Sequence, residues 1–482
     1  MLRHDSSAAM DLALYIGGRW RPAETRETFE VIDPATGACI ARAPRGGPAD
    51  VDAAVDAAQK VGANWRTDPV ARGRLLARVA AAVHNQEEQL AYYESLNTGK
   101  PLRQARADVR IAARYFEYYS GLADKVHGLS IPSSADVVDF TVREPIGVVG
   151  QIVPWNYPLQ ILARGLAPAL AAGNSVVVKP AEETPVTAYL LTKLLETVGF
   201  PAGAVNVVTG YGEEAGAALA AHPGIQALDF TGSREVGVSV TRAAAGNIVP
   251  VMLELGGKSP HIVFDDADLD RAVPIIVHAL LQNAGQTCSA GTRLIVERAV
   301  FQEVTRRIVE AFRTVRTGHG LADPDLGPLI SERQRARVQD LCVRGVQDGG
   351  EVAYGAQSLP GSGFFFAPTL LVDVPYHSRA VQEEIFGPVL VANGFDELTE
   401  AIELANGTTY GLVAGVWTRN IDTAMAMARA IEAGQVFING YGAGGGVEFP
   451  FGGMRHSGFG RAKGSEAVLH YTRVKNVAIV TV

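Results

Sequence analysis

The spacing of hydrophobic and polar positions changes character about a third of the way along the chain. Residues 51–63 and 71–97 carry apolar side chains at helical spacing among Ala, Arg and Glu, which predicts two amphipathic helices, and 101–126 predicts a third. A polar break at 130–136 precedes 137–143, whose alternation suits an exposed strand. From Gly147 onward, short β-branched runs alternate with helical segments. Strands expected at 147–154, 175–178, 204–208 and 227–230 lead into helices at 159–172, 185–198, near 213–221 and near 235–245. The second half repeats this texture, with strands at 261–264, 293–296, 388–392 and 411–417 among helices at 269–284, 301–315 and 422–433. Such alternation predicts an α/β fold of two parallel-sheet domains covered by helices, plus a small β arm. Ligands in such sheets sit at the carboxyl ends of the strands.

Composition narrows the class. With 482 residues, 47% of them hydrophobic, the chain can bury enough surface for about three domains' worth of globular structure. A net charge of −8 leaves no basic footprint for nucleic acid or for an anionic membrane. No uninterrupted apolar stretch approaches the ~18 residues a membrane span needs, and 1–20 lacks a secretory signal pattern. The cysteines, Cys39, Cys288 and Cys342, are odd in number, and no Cys/His run has zinc spacing. The expectation is a cytoplasmic protein with no disulfide framework, no metal site and no nucleic-acid or membrane partner.

Three residues could carry chemistry. Cys288, in GQTCSAG, has small and polar neighbours that suit an exposed turn or helix start, where a thiol is more readily ionised; Cys39 and Cys342 read as structural. Glu254, in MLELGGKSP, is either a strand-end acid in water or a desolvated general base with a raised pKa. Asn156, in VPWNYPLQ, lies in a turn stiffened by Pro154 and Pro158; it serves either turn geometry or a developing oxyanion. Residues 232–237, GSREVG, offer a strand, a Gly/Ser turn and a helix start at which backbone N–H groups can hold a pyrophosphate. Lys179 and Glu182 end another strand and could take ribose hydroxyls, and a carboxylate there favours a 2′-OH over a 2′-phosphate. A cysteine hydrolase lacking a nicotinamide would need a histidine to orient the thiol, and the sequence singles none out.

Taken together, PWNYP (154–158), KPAEETP (179–185), FTGSREVG (230–237), LELGGKSP (253–260), GQTC (285–288), EEIFGPV (383–389) and PFGGMRHSGFGR (450–461) resemble the aldehyde dehydrogenase superfamily, in that family's order. The resemblance implies a fold of two Rossmann-like domains and an arm. It places a dinucleotide-binding domain at 1–125 and 145–256, a catalytic domain at 257–465 and an oligomerisation arm at 126–144 and 466–482, assembled as a homodimer or homotetramer. It implies Cys288 as nucleophile, Glu254 as general base, and Asn156 with the Cys288 backbone N–H as oxyanion hole. Cofactor positions would be Ile152, Pro154, Trp155, Lys179, Glu182, Gly212, Phe230, Gly232, Ser233, Leu255, Glu384 and Phe386. The implied reaction is oxidation of an aldehyde to the free acid through a cysteine thioester, with NAD, or alternatively NADP, as acceptor. Glu254 argues against coenzyme A as the acyl acceptor.

Tyr157, Arg164, Thr287, Ser289 and Phe451 are the expected substrate pocket. Arg164 stands where members acting on succinic semialdehyde carry an arginine, which would suit a carboxylate-bearing aldehyde. Their second arginine is here Gln282, and Arg164 could instead be a helix residue pairing with a nearby acid. The small residues at 442–446 depart from bulkier family loops and would admit aromatic or medium-chain aldehydes.

Overall fold

The computed structural model describes residues 9–442 and 446–480. Two parallel sheets dominate it, as the strand–helix alternation predicts. In the first, the parallel strands run Val251–Glu254, Ala227–Thr231, Val148–Ile152, Ser175–Lys179, Val205–Val207 across the sheet. The chain therefore leaves the central strand Val148–Ile152 in one direction and returns on its other side. This reversal opens a crevice at the carboxyl end of that strand, where residues 153–156 lie. Ser175–Lys179 is buried throughout, which is why its sequence, SVVVK, is an apolar run rather than an alternation. Antiparallel strands Leu14–Ile16 and Arg19–Arg21 close one edge and Gly458–Phe459 the other.

The second sheet runs Thr369–Val372, Val389–Phe395, Gly291–Glu297, Ser259–Val263, Val413–Trp417, Gln435–Ile438 in parallel, with Glu351–Tyr354 antiparallel at one edge. Because Gly458–Phe459 pairs with Val251–Glu254, the last part of the chain crosses back from the second sheet to the first. A third sheet pairs Thr472–Val480 with Val137–Pro145 along their whole lengths and adds Ser130–Ile131, so part of the expected polar break is strand.

Several expectations are corrected. The helix expected at 71–97 is two, Pro69–Asn85 and Glu87–Thr98. Apolar spacing continues through the break, but Glu87 and Glu88 fit the positive start of a new helix better than the middle of an old one. The helix expected at 51–63 spans Pro48–Gln59 and that at 101–126 spans Leu102–Ser120. The strand expected at 411–417 is Tyr410–Gly411 and Val413–Trp417, in different sheets. A three-stranded sheet of Met10–Asp11, Cys39–Pro44 and Thr28–Ile32 went unforeseen, as did helices Glu332–Gln347 and Leu398–Asn406.

Candidate active site

Glu254 ends the edge parallel strand of the first sheet, and Asn156 lies in the turn leaving its central strand. Cys288 belongs to the turn before Gly291–Glu297 of the second sheet. All three line one cavity of about 770 Å³, together with Pro154, Trp155, Gly232, Ser233, Glu384 and Phe386. Residues distant in sequence thus converge where the strand ends of the two sheets meet.

The approach to Cys288 is a contorted segment. Asn283, Ala284 and Gly285 are all left-handed, at φ 50°, 55° and 74°. A side chain on Gly285 would collide with the Gly387 backbone as well. The helix expected to run to 284 consequently stops at Leu281. Asn156 secures this segment from the first sheet. Its Nδ2 donates to the Gln286 carbonyl at 2.9 Å, which leaves the second amide hydrogen for another acceptor. Its own carbonyl accepts from Asn283 Nδ2 at 2.8 Å and from Lys100 Nζ at 3.0 Å. Lys100 is buried and also meets Asp108 at 2.5 Å and Glu94 at 3.5 Å. Tyr157 hydroxyl and Thr287 Oγ1 lie 2.8 Å apart, so Tyr157 braces the same turn.

No helix starts at Cys288, contrary to one sequence expectation, and the thiol is not favoured as the anion. Burial pushes it up to about 12, with Arg164 the leading influence in the other direction. Its surroundings explain this: Cys288 packs against an apolar cluster of Leu412, Val413 and Phe451, which Phe437 and Tyr441 also flank. Tyr441 hydroxyl donates to the Ser289 carbonyl at 2.6 Å. Glu254 is 2% exposed, and neither carboxylate oxygen has a hydrogen-bond partner among the described residues. Burial pushes it up to about 8, against the pull of Arg164. An acid so placed holds its proton near neutrality and releases it in the range where a base is useful.

The remainder of the cavity could hold a dinucleotide. Ser233 caps the helix Arg234–Ala245, accepting from Val236 N at 3.3 Å, and the start of that helix faces the cavity. Phe230 and Leu255 pack beneath Gly232 and Gly237. Glu384 accepts from Gly257 N at 3.1 Å, and a Cβ on Gly256 would run into its carboxylate, so bare backbone is required there. Burial raises Glu384 to about 7. Phe386, left-handed at φ 61°, sets its ring edge-on to Trp155 at 5.2 Å. Lys179 pairs with Glu182 at 2.7 Å, at the end of the strand next to the crevice. Ile152 lies opposite Lys179 in the sheet, and Gly212 opens the turn of helix Gly212–Gly216.

Several expected residues are not on the cavity wall: Ile152, Lys179, Glu182, Gly212, Phe230 and Leu255 on the cofactor side, and Tyr157, Arg164, Thr287, Ser289 and Phe451 on the substrate side. Arg164 is buried, donates to Thr231 Oγ1 at 2.9 Å and faces the Phe451 ring at 5.5 Å. It has no ion pair with an acid among the described residues. Residues 443–445 of the expected glycine loop lie outside the described residues. Sequence reasoning passed over Thr231, Gln334, Arg337 and Tyr410 on the cavity wall, and Leu412, Phe437 and Tyr441 beside the thiol. Gln334 and Arg337 donate to the carbonyls of Phe386 and Glu384, each at 2.9 Å. They belong to a helix so polar that it reads as plain surface.

The profile of the Aldehyde dehydrogenase family matches residues 20–477. A hydroxyisobutyraldehyde dehydrogenase of Mycolicibacterium austroafricanum is 43% identical over 98% of this chain and 95% of its own. Human retinal dehydrogenase 2 is also 43% identical, over 97% of this chain and 91% of its own. The NAD+ complex of an aldehyde dehydrogenase from Bacillus cereus superposes with a TM-score of 0.96 at 40% identity, over 98% of this chain and 96% of that one. Matching blocks, fold and near-full-length relatives together establish that this chain belongs to the aldehyde dehydrogenase family.

Proposed function

We propose that the protein oxidises apolar aldehydes to carboxylic acids with NAD, through a thioester on Cys288 that water hydrolyses. The observation that carries this reading is the convergence of Cys288, Glu254 and Asn156 on one cavity. Cys288 sulfur, once its proton is lost to solvent, adds to the aldehyde carbon. The oxyanion so formed is stabilised by the free amide hydrogen of Asn156 and the Cys288 N–H. When bound, the oxidised nicotinamide supplies the acceptor for the hydride equivalent that leaves this adduct. A thioester then remains on Cys288. Glu254 takes a proton from water as it attacks the thioester carbon, and the acid and the free thiol are released.

In this reading Ser233 and the helix start behind it take the pyrophosphate, and Glu384 and Phe386 hold the nicotinamide ribose and ring. Lys179 and Glu182 take the adenosine ribose, where the carboxylate repels a 2′-phosphate and selects NAD over NADP. The unit at 1–125 and 145–256 binds the dinucleotide, and 257–465 supplies the nucleophile. The arm at 126–144 and 466–482 joins subunits into a dimer or tetramer.

The substrate class follows from what surrounds the sulfur. Leu412, Phe437, Tyr441 and Phe451 are apolar or aromatic, while Arg164 is buried behind the wall and bonded to Thr231. An aromatic, branched or medium-chain aldehyde suits a sulfur in this apolar setting better than one bearing a carboxylate. Initial rates of NADH formation with benzaldehyde, a medium-chain aliphatic aldehyde, betaine aldehyde and succinic semialdehyde, each with NAD and NADP, test the reading. The expected order puts the neutral apolar aldehydes first with NAD. A preference for succinic semialdehyde or for NADP would overturn the corresponding part, and oxidation surviving in Cys288→Ala would overturn the whole.

A further inference from the structure

Arg164 is a fully charged side chain sealed into the protein a short way behind the reacting groups. It lies on the helix Pro158–Ala171, which begins immediately after Asn156, and it is 6% exposed. Its Nη2 donates to Thr231 Oγ1 at 2.9 Å. Thr231 is directly opposite Glu254 in the first sheet, and both line the cavity. On its other side Arg164 faces the Phe451 ring, which packs with Cys288. One guanidinium is thus held between the strand bearing the base and the ring beside the nucleophile, without itself reaching the cavity wall. Each of the two acids has to carry a negative charge at some stage of turnover; Arg461 and Lys463 also favour it on Glu254 and the Ser289 backbone on Cys288, with Arg164 the leading support of both. Glu254 has no hydrogen-bond donor among the described residues, and the sulfur sits against apolar side chains.

The geometry points to Arg164 as a positioning residue that supports the negative charge of Cys288 and Glu254 during turnover, and not as a clamp for a substrate carboxylate. This inference rests on the proposed roles of those two residues. Glu254, Asp229 and Cys288 are the acids that favour the charge of Arg164, together with Tyr115, while burial opposes it; the balance leaves it above its ordinary value. Tyr119 and Tyr471 also lie within its influence, and Tyr471 hydroxyl donates to Asp229 at 3.0 Å. Lys463 is the neighbouring cation; it faces the same Phe451 ring at 5.3 Å and opposes Arg164. Asp229 is already engaged by Tyr471, which leaves Arg164 as the leading cationic influence on both Glu254 and Cys288. A neighbouring opposite charge within about 4–6 Å lowers an acid's pKa by about one to three units.

The test compares parent, Arg164→Lys and Arg164→Met in two readouts: the rate of iodoacetamide alkylation mapped to Cys288 by mass spectrometry, and kcat against pH for a neutral aldehyde. With Arg164→Met, alkylation at Cys288 should slow about tenfold or more at each pH between 6 and 9, and the rising limb of kcat should move up by about one unit or more. Arg164→Lys keeps the charge and should restore most of both. Thr231→Val, which keeps the arginine but removes its anchor, should shift both in the same direction by less, and serves if the methionine variant does not fold. A loss of rate with an unmoved pH profile would reduce Arg164 to a packing role, and a loss confined to succinic semialdehyde would make it a substrate clamp; either overturns the inference. Failure of the underlying reading shows separately, as oxidation persisting in Cys288→Ala.

Discussion

As the proposed base, Glu254 should set the pH dependence of turnover. Its folded-state value of about 8 lies above its ordinary 4.5, and burial is the cause. Turnover limited by thioester hydrolysis should therefore rise with pH, with a midpoint near 8. Stability runs the other way. The folded protein holds this proton more tightly than the unfolded chain does, so the contribution of the neutral carboxyl is complete below about 4.5 and is lost as pH rises through about 8. Thermal unfolding of Glu254→Gln between pH 5 and 8 should accordingly show a flatter decline than the parent. Parallel curves would remove Glu254 as a titrating group in this window. Local context singled out Cys288, and the family resemblance added Glu254 and Asn156; the three line one cavity. Tyr441, Leu412 and Lys100 were not legible in sequence, because each reaches the site from a segment whose own neighbours are ordinary.

Lys100 shows what such a segment contributes between elements. It ties the turn after Glu87–Thr98 to Asp108 on the next helix and to the Asn156 carbonyl. Burial raises Glu94 to about 7, and Lys100 is the main opposing influence. Lys100→Met leaves two buried carboxylates without their cation, so it should cost about 3–5 kcal/mol at pH 8. The cost should be smaller at pH 6, where Glu94 takes up a proton; denaturant midpoints at the two pH values measure it. An equal loss at both would argue for packing alone. The left-handed run at 283–285 is the other such junction. Gly285→Ala meets both an unfavourable backbone and the Gly387 backbone, and should cost more than about 1 kcal/mol as well as most of the activity. Strand–helix alternation was readable because buried strands are β-branched runs. The break at Gln86 and the stop at Leu281 were not, since apolar periodicity records which face is buried and not where the backbone turns.

Over the whole molecule, the two sheets are joined at their strand ends and by the strand Gly458–Phe459, which belongs to a C-terminal segment but pairs with the first sheet. Strand–helix alternation conveyed the two-sheet architecture, and the family resemblance grouped the two arm segments; neither could convey the antiparallel edges, which depend on distant segments meeting. The arm carries Val138 and Val474 more than half exposed, side chains that a subunit contact would cover. Val474→Glu should therefore shift the protein in size-exclusion chromatography from an oligomer toward a 51.0 kDa monomer. An unchanged elution volume would move the subunit contact elsewhere.

The most direct test of the mechanism is a rapid-mixing experiment on Glu254→Gln with benzaldehyde and NAD, followed by mass analysis of the quenched protein. The thioester account predicts a burst of about one NADH per active site, an acyl group on Cys288, and steady turnover reduced at least about a hundredfold. Undiminished steady turnover with no acyl group on Cys288 would contradict it.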